Sequence, residues 1–390
     1  MINFIFHSPT KIYFGKDQEL LVGQIIKEAG FKKVLFHYGK SSIFKTGLYD
    51  KIVDSLKKYD VDFIELGGVE ANPKIELVRQ GVELVKESNV DFILAVGGGS
   101  VIDSAKSIAC GAKINEDPWL FSAHELTPKE VLPIGVVLTI SAAGSELSNS
   151  CVITNEKFNL KRGFNSDLMR PKFAILNPEL TYSVSKYQTG CGIVDIMMHT
   201  IERYLVLEDA DLTHSMAEGL LKSVMRAGSV AIKEPNNYEA RSTLMLASSL
   251  SHNGLTGLGV NMFFTVHKLE HELSGFYDEV AHGAGLSILF PAWARFMANI
   301  DCHKLAKFAW NVMDVAPSDS LYNDALEGIN RLEKYFKSLD MPTRIVDLNL
   351  ENVDFEGMAL SATNNGQSVV KGIKDLCYED ILQIYKNSYK

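Results

Sequence analysis

The chain is expected to fold as an α/β domain built on a parallel sheet, followed by an all-α domain, with the division near residue 187 (1–187 and 188–390). Two observations predict this. The first half alternates short β-type runs with helical stretches, the rhythm of strand–helix–strand units. From about Gln188 the β-branched runs give way to long amphipathic patterns. Length agrees: 390 residues correspond to two domains at roughly 100–200 residues each, and 46 % hydrophobic content is enough for two buried cores.

In chain order, residues 33–38 (KVLFHY) read as a strand, followed by a helix, a strand at 61–66 (VDFIEL) and a second helix. Another strand at 91–98 runs into a helix, and 134–138 (IGVVL) is again strand-like. In the second half, 217–225 and 321–332 carry helical periodicity. Residues 1–6 (MINFIF) are a candidate edge strand. Repeats, low-complexity tracts and a Pro/Gly-rich linker are all missing.

Net charge of −9 argues against nucleic acid or an anionic membrane as partner, because both require a basic face. No apolar stretch approaches the roughly 18 residues of a membrane span, and the first residues lack a signal peptide's basic segment and long apolar core. Five scattered cysteines without a C-x-x-C pair read as reduced packing residues, so a cytoplasmic location is expected.

Chemistry concentrates in two places. In the helical half, Asp195 and His199 are four residues apart, as are His267 and His271, and His282 follows shortly after. Residues i and i+4 share a helix face, so each pair can point together. A carboxylate on an apolar face is costly to bury without a cation, and one carboxylate with several imidazoles suits Fe2+ or Zn2+ better than Ca2+ or Mg2+. A single histidine here would read as a core packing residue; two such pairs and a fifth group make coincidence a poor account.

In the α/β half, Gly97, Gly98, Gly99 and Ser100 follow a strand and open a helix, with Ser100 read as N-cap and Asp103 at N3. Open amides at a helix N-terminus suit a diphosphate. The tripeptide differs from G-x-G-x-x-G, so a steric strand ending accounts for it equally well by itself. A second small-residue loop, 139–146, follows the strand at 134–138.

These motifs resemble the iron-dependent (group III) alcohol dehydrogenases, in particular the butanol dehydrogenase and broad-specificity aldehyde reductase branch. The resemblance runs through 9–15 (PTKIYFG), 70–73 (EANP), 97–106 (GGGSVIDSAK), 143–146 (AGSE), 176–178 (LNP) and 271–278 (HELSGFYD). It implies a Rossmann-like dinucleotide-binding domain and a helical metal-binding domain of dehydroquinate synthase-like architecture. It also implies Asp195, His199, His267 and His282 as metal ligands, and His271 as a catalytic non-ligand near nicotinamide and substrate. The 267–282 interval is one residue longer than the family spacing, near Glu279 and Val280. The cofactor would lie across Gly97, Gly98, Gly99, Ser100 and Asp103, with Asn72 near the adenosine, Thr139 and Ser141 near the diphosphate or ribose, and Lys161 near the nicotinamide ribose.

NAD-specific relatives often carry an Asp where Gly39 stands. Its absence, with Lys40, Ser41 and Ser42 alongside, predicts NADP(H) in preference to NAD(H). The implied reaction is hydride transfer between NAD(P)H and short- to medium-chain aldehydes, in a homodimer. A glycerol dehydrogenase-like polyol oxidoreductase and a metal-dependent hydrolase are the alternatives.

Overall fold

The computed structural model describes all 390 residues. The chain divides into two compact units, one of His7–Val184 with Pro235–Asn253 and the other of Met1–Phe6, Ser185–Glu234 and Gly254–Lys390.

The first unit carries all eight strands: β1 (Lys11–Phe14), β2 (Lys33–Tyr38), β3 (Asp62–Leu66), β4 (Phe92–Gly97), β5 (Ile134–Leu138), β6 (Ser150–Asn155), β7 (Leu160–Asn165) and β8 (Phe173–Leu176). Six form one sheet in the order β1-β8-β5-β4-β2-β3, with every pairing parallel. β6 and β7 form a separate antiparallel hairpin. The four strands expected at 33–38, 61–66, 91–98 and 134–138 are β2 to β5.

β4 and β5 are buried along their whole length, as parallel strands covered on both faces must be. Successive side chains of β4 enter opposite cores: Ile93 and Ala95 join one cluster, Phe92, Leu94 and Val96 the other. Met245, on the helix Tyr238–His252, packs in the first of these clusters, which is why that helix belongs with the sheet although it lies in the helical half of the sequence.

Two sequence expectations change. Residues 1–6 form no strand: the Ile2 N–H donates to the Gly259 carbonyl (2.8 Å), and the unit they belong to contains no strand for them to join. The helix after β4 spans Gly99–Gly111 and its N-cap is Gly98 rather than Ser100, with no side-chain cap. The helix thus starts two residues earlier than expected, and its cap position tolerates no side chain, since Ile140 Cγ2 would lie 2.2 Å from a Cβ at position 98.

The second unit is helical. Its helix Lys186–Tyr204 is capped by the Ser185 side chain, which accepts from the Gln188 N–H (3.2 Å), and is buried from Thr189 through Tyr204. A helix apolar around most of its circumference belongs inside its domain, and this one carries Asp195 and His199.

Candidate metal and cofactor site

Asp195 and His199 occupy one face of the helix Lys186–Tyr204, His267 the first turn of the helix Thr265–Phe276, and His282 the first residue of the helix His282–Ala298. Around Asp195 Oδ1 stand His199 Nδ1 at 3.3 Å, His267 Nε2 at 3.6 Å and His282 Nε2 at 3.7 Å. Donors about 2.1 Å from a common tetrahedral centre lie about 3.4 Å from one another, so these separations suit one transition-metal ion. Donor atoms of Asp195, His267 and His282 all lie within 4.8 Å of one another, and His199 stands outside that mutual set while touching Asp195.

Asp195, His199 and His267 are each at most 5 % exposed. Asp195 Oδ1 and His267 Nε2 have no hydrogen-bond partner. Buried polar atoms are rarely left so, and two of them facing each other call for a shared partner. An electron-pair acceptor supplies it, and the donor set of one carboxylate and imidazoles fits Fe2+ or Zn2+.

The outer nitrogens are occupied. His267 Nδ1 meets Glu202 Oε2, and His282 Nδ1 meets Glu270 Oε2. Glu202 also accepts from the Val266 N–H (2.6 Å) and the His267 N–H (3.3 Å), closing the N-terminus of the Thr265–Phe276 helix. Burial would lower the His267 pKa, but the carboxylates of Glu202 and Asp195 outweigh it and raise it to about 9. His271 is partly buried, with its ring centroid 5.6 Å from that of His282, and lies outside the group around Asp195. Sequence reasoning missed Glu202 and Glu270. The available signal was spacing, since Glu202 is three residues after His199 and Glu270 three after His267, both on buried helix faces.

In the other unit, the proposed cofactor residues cluster at the carboxyl ends of β2, β4 and β5. β2 leads to Gly39, Lys40, Ser41 and Ser42, β4 ends in Gly97 before Gly98, Gly99 and Ser100, and β5 leads to Thr139 and Ser141. The sheet order turns between β2, which continues to β3 on one side, and β4, which continues to β5 on the other. Such a switch point is where open parallel sheets take nucleotides. The Thr139 N–H donates to the Gly97 carbonyl (3.1 Å), joining the two loops, and Ser141 Oγ is buried without a hydrogen-bond partner.

Asp103 does not serve the helix N-terminus. It accepts from the Ser145 hydroxyl (2.6 Å) and the Val152 N–H (3.0 Å) and so ties the glycine-loop helix to the second loop and to β6. One turn on, the fully buried Lys106 donates to the Ser145, Ser148 and Ser150 carbonyls at 2.7, 3.0 and 2.8 Å. Burial pushes its pKa down, and Asp103 opposes that. Lys161 is buried on β7, and Asn72 is buried with a left-handed backbone (φ 52°). Lys40 Nζ pairs with Glu70 Oε1 at 2.5 Å.

Residues 9–178 match the iron-containing alcohol dehydrogenase family, and residues 189–389 match the C-terminal region of the same family. The chain belongs to the iron-containing alcohol dehydrogenase family. It is therefore an oxidoreductase that uses NAD(H) or NADP(H). It is 40 % identical to NADH-dependent butanol dehydrogenase A of Clostridium acetobutylicum over the full length of both. It is 35 % identical to the NADPH-dependent aldehyde reductase YqhD of Escherichia coli over 99 % of each. Among solved structures it superposes on the NADH-dependent butanol dehydrogenase A of Thermotoga maritima with a TM-score of 0.96, 35 % identity, and coverage of 100 % of this chain and 99 % of that one. The α/β plus helical architecture of this dehydrogenase is that of its family.

Proposed function

We propose that the chain interconverts short- to medium-chain aldehydes, such as butyraldehyde, and their primary alcohols, at a centre of Fe2+ or Zn2+ held by Asp195, His199, His267 and His282. The convergence of the three imidazoles on the buried, unpartnered Asp195 Oδ1 carries this reading. When bound, the metal supplies Lewis acidity to the carbonyl oxygen and the nicotinamide supplies the hydride. His271 holds the proton that the product oxygen takes up, acting as a general acid beside the ligand set. The amides of Gly97 to Ser100, at the positive end of a 13-residue helix, bind the diphosphate. Asp103 and Lys106 hold the second loop, from which Thr139 and Ser141 meet the cofactor; Asn72 serves the adenosine and Lys161 the nicotinamide ribose.

NADP(H) is the preferred cofactor and NAD(H) a usable one. Gly39 puts no carboxylate against a 2′-phosphate, and Lys40, Ser41 and Ser42 offer it a cation and two hydroxyls. Glu70 already holds Lys40, so the preference is modest. The unit carrying the sheet is the dinucleotide-binding domain, and the helical unit is the metal-binding domain. The apolar side chains exposed at the N-terminus (Phe4, Ile5 and Phe6) support a homodimer, and the five unpaired cysteines support a reducing, cytoplasmic setting.

The test is oxidation of NADPH and of NADH with butyraldehyde by metal-stripped protein, with and without added Fe2+ or Zn2+. Turnover that returns only with metal supports the reading. Cofactor binding without metal-dependent turnover on any aldehyde of this class rejects it.

A further inference from the structure

Three acids meet the imidazoles of the helical unit, and only Asp195 faces the common centre. Glu202 and Glu270 stand behind the rings, each on the Nδ1 of a different histidine, and are among the most deeply buried charged residues of the chain, at 3 % and 0 % exposure. We propose that Glu202 and Glu270 are positioning residues of the metal centre: each fixes one imidazole, His267 or His282, with its Nε2 turned toward Asp195. This rests on the metal-site reading above.

The chemistry follows from the two nitrogens of imidazole. A neutral ring carries one N–H and one lone pair, and a carboxylate that accepts the Nδ1–H leaves the lone pair on Nε2. It also locks the ring plane and makes the lone pair a better donor. His267 and His282 both show this pattern, with Nδ1 on a glutamate and Nε2 within 3.7 Å of Asp195 Oδ1.

The supporting structure around each glutamate is specific. Glu202 is on the Asp195 helix, seven residues after Asp195 and three after His199, so one helix supplies two groups to the centre and the support for a third. Because it also accepts from the Val266 and His267 N–H groups, Glu202 fixes both the ring and the backbone of His267. Glu270 sits where Gly285 leaves space, since a Cβ at position 285 would lie 2.7 Å from Glu270 Cγ and 2.9 Å from Oε1. That glycine lets the His282 helix approach closely enough for His282 to reach the carboxylate.

Glu270, His271 and His282 also bring donor atoms within 4.8 Å of one another, which raises a second ion as the competing account. The contact between His282 Nδ1 and Glu270 is direct and leaves no room for an ion between them, so outer-carboxylate support is the better reading.

The test compares metal-stripped wild type, Glu202→Gln, Glu270→Gln, Glu270→Ala and Asp195→Ala, titrated with Co2+ and with Zn2+ against a competing chelator. Dissociation constant, stoichiometry, the visible Co2+ spectrum and the melting temperature of the metal-free protein are read. We expect one ion per wild-type chain. Glu270→Ala should bind about 10–100-fold more weakly, with a changed Co2+ spectrum and an almost unchanged metal-free melting temperature. The Gln variants keep an acceptor oxygen and should lie between Glu270→Ala and wild type. Affinity within twofold of wild type and an unchanged spectrum in all three glutamate variants would overturn the proposal. So would two ions per wild-type chain with one lost in Glu270→Ala, since Glu270 would then be a ligand. Should Glu202→Gln not fold, the two Glu270 variants decide. Failure of the metal-site reading looks different: Asp195→Ala would then bind metal as tightly as wild type.

Discussion

Cys191 and Gly283 meet backbone to backbone: a methyl group at position 283 would lie 2.2 Å from the Cys191 carbonyl oxygen and 2.6 Å from its carbonyl carbon. Cys191 is one turn before Asp195, and Gly283 follows His282, so this contact fixes the spacing of two proposed ligands on different helices. Gly283→Ala must therefore push the helices apart. Overpacking of this kind costs about 1–3 kcal/mol, or roughly 3–10 °C in melting temperature. Calorimetry and metal analysis should show both that drop and weaker metal binding. A variant with wild-type melting temperature and metal content would contradict the argument.

His271 and Asp195 should separate chemistry from metal retention. His271→Ala is expected to lower kcat on the order of 10²-fold while bound metal stays stoichiometric. Asp195→Ala should empty the site, because it removes the charged member of the set. Metal loss in the His271 variant would make His271 a ligand instead.

Position 39 has room for a side chain: its nearest neighbours to a Cβ are the Val69 carbonyl oxygen at 3.6 Å and Val101 Cγ2 at 3.9 Å. Gly39→Asp should fold normally and place a carboxylate where a 2′-phosphate would lie. The ratio of kcat/KM for NADPH over NADH should fall by tenfold or more, by repulsion of the phosphate and bonding to a free 2′-hydroxyl. An unchanged ratio would remove position 39 from cofactor choice.

Glu333 gives a pH dependence of stability. Its carboxylate accepts from Arg295 (2.7 Å) and Lys337 (2.9 Å) and forms an ion pair with Arg344 (3.1 Å). Burial would raise its pKa, but these three cations reverse that and hold it at about 2, below the ordinary 4.5. A carboxylate depressed on folding stabilises the protein above its unfolded pKa and loses that contribution as pH falls from about 4.5 toward 2. Glu333→Gln should therefore destabilise by about 2–3 kcal/mol near pH 7, and the difference from wild type should shrink as pH falls below about 4. Urea unfolding of both proteins across that range measures it. A difference independent of pH would assign the loss to packing.

Much of the first unit was legible because parallel strands buried on both faces are apolar runs, and β2, β4 and β5 read directly as such. β1 and β8 are only four residues each, too short for periodicity to register, and their pairing joins residues more than 150 positions apart. Residues 1–6 show the opposite error, since an apolar run without a neighbouring strand has nothing to pair with.

By itself the sequence pointed to the chemistry: two i, i+4 pairs of potential metal ligands followed by His282, a glycine turn between strand and helix, and motifs specific enough to name a family. Only the tertiary structure decided which atoms meet. Helix periodicity sets which residues share a face, but the convergence of His199, His267 and His282 on Asp195 depends on three helices packing together. So do the backing of two rings by Glu202 and Glu270 and the tie from Asp103 to Ser145 and Val152. These contacts join distant parts of the chain, and packing of the cores, which no local pattern encodes, brings them together.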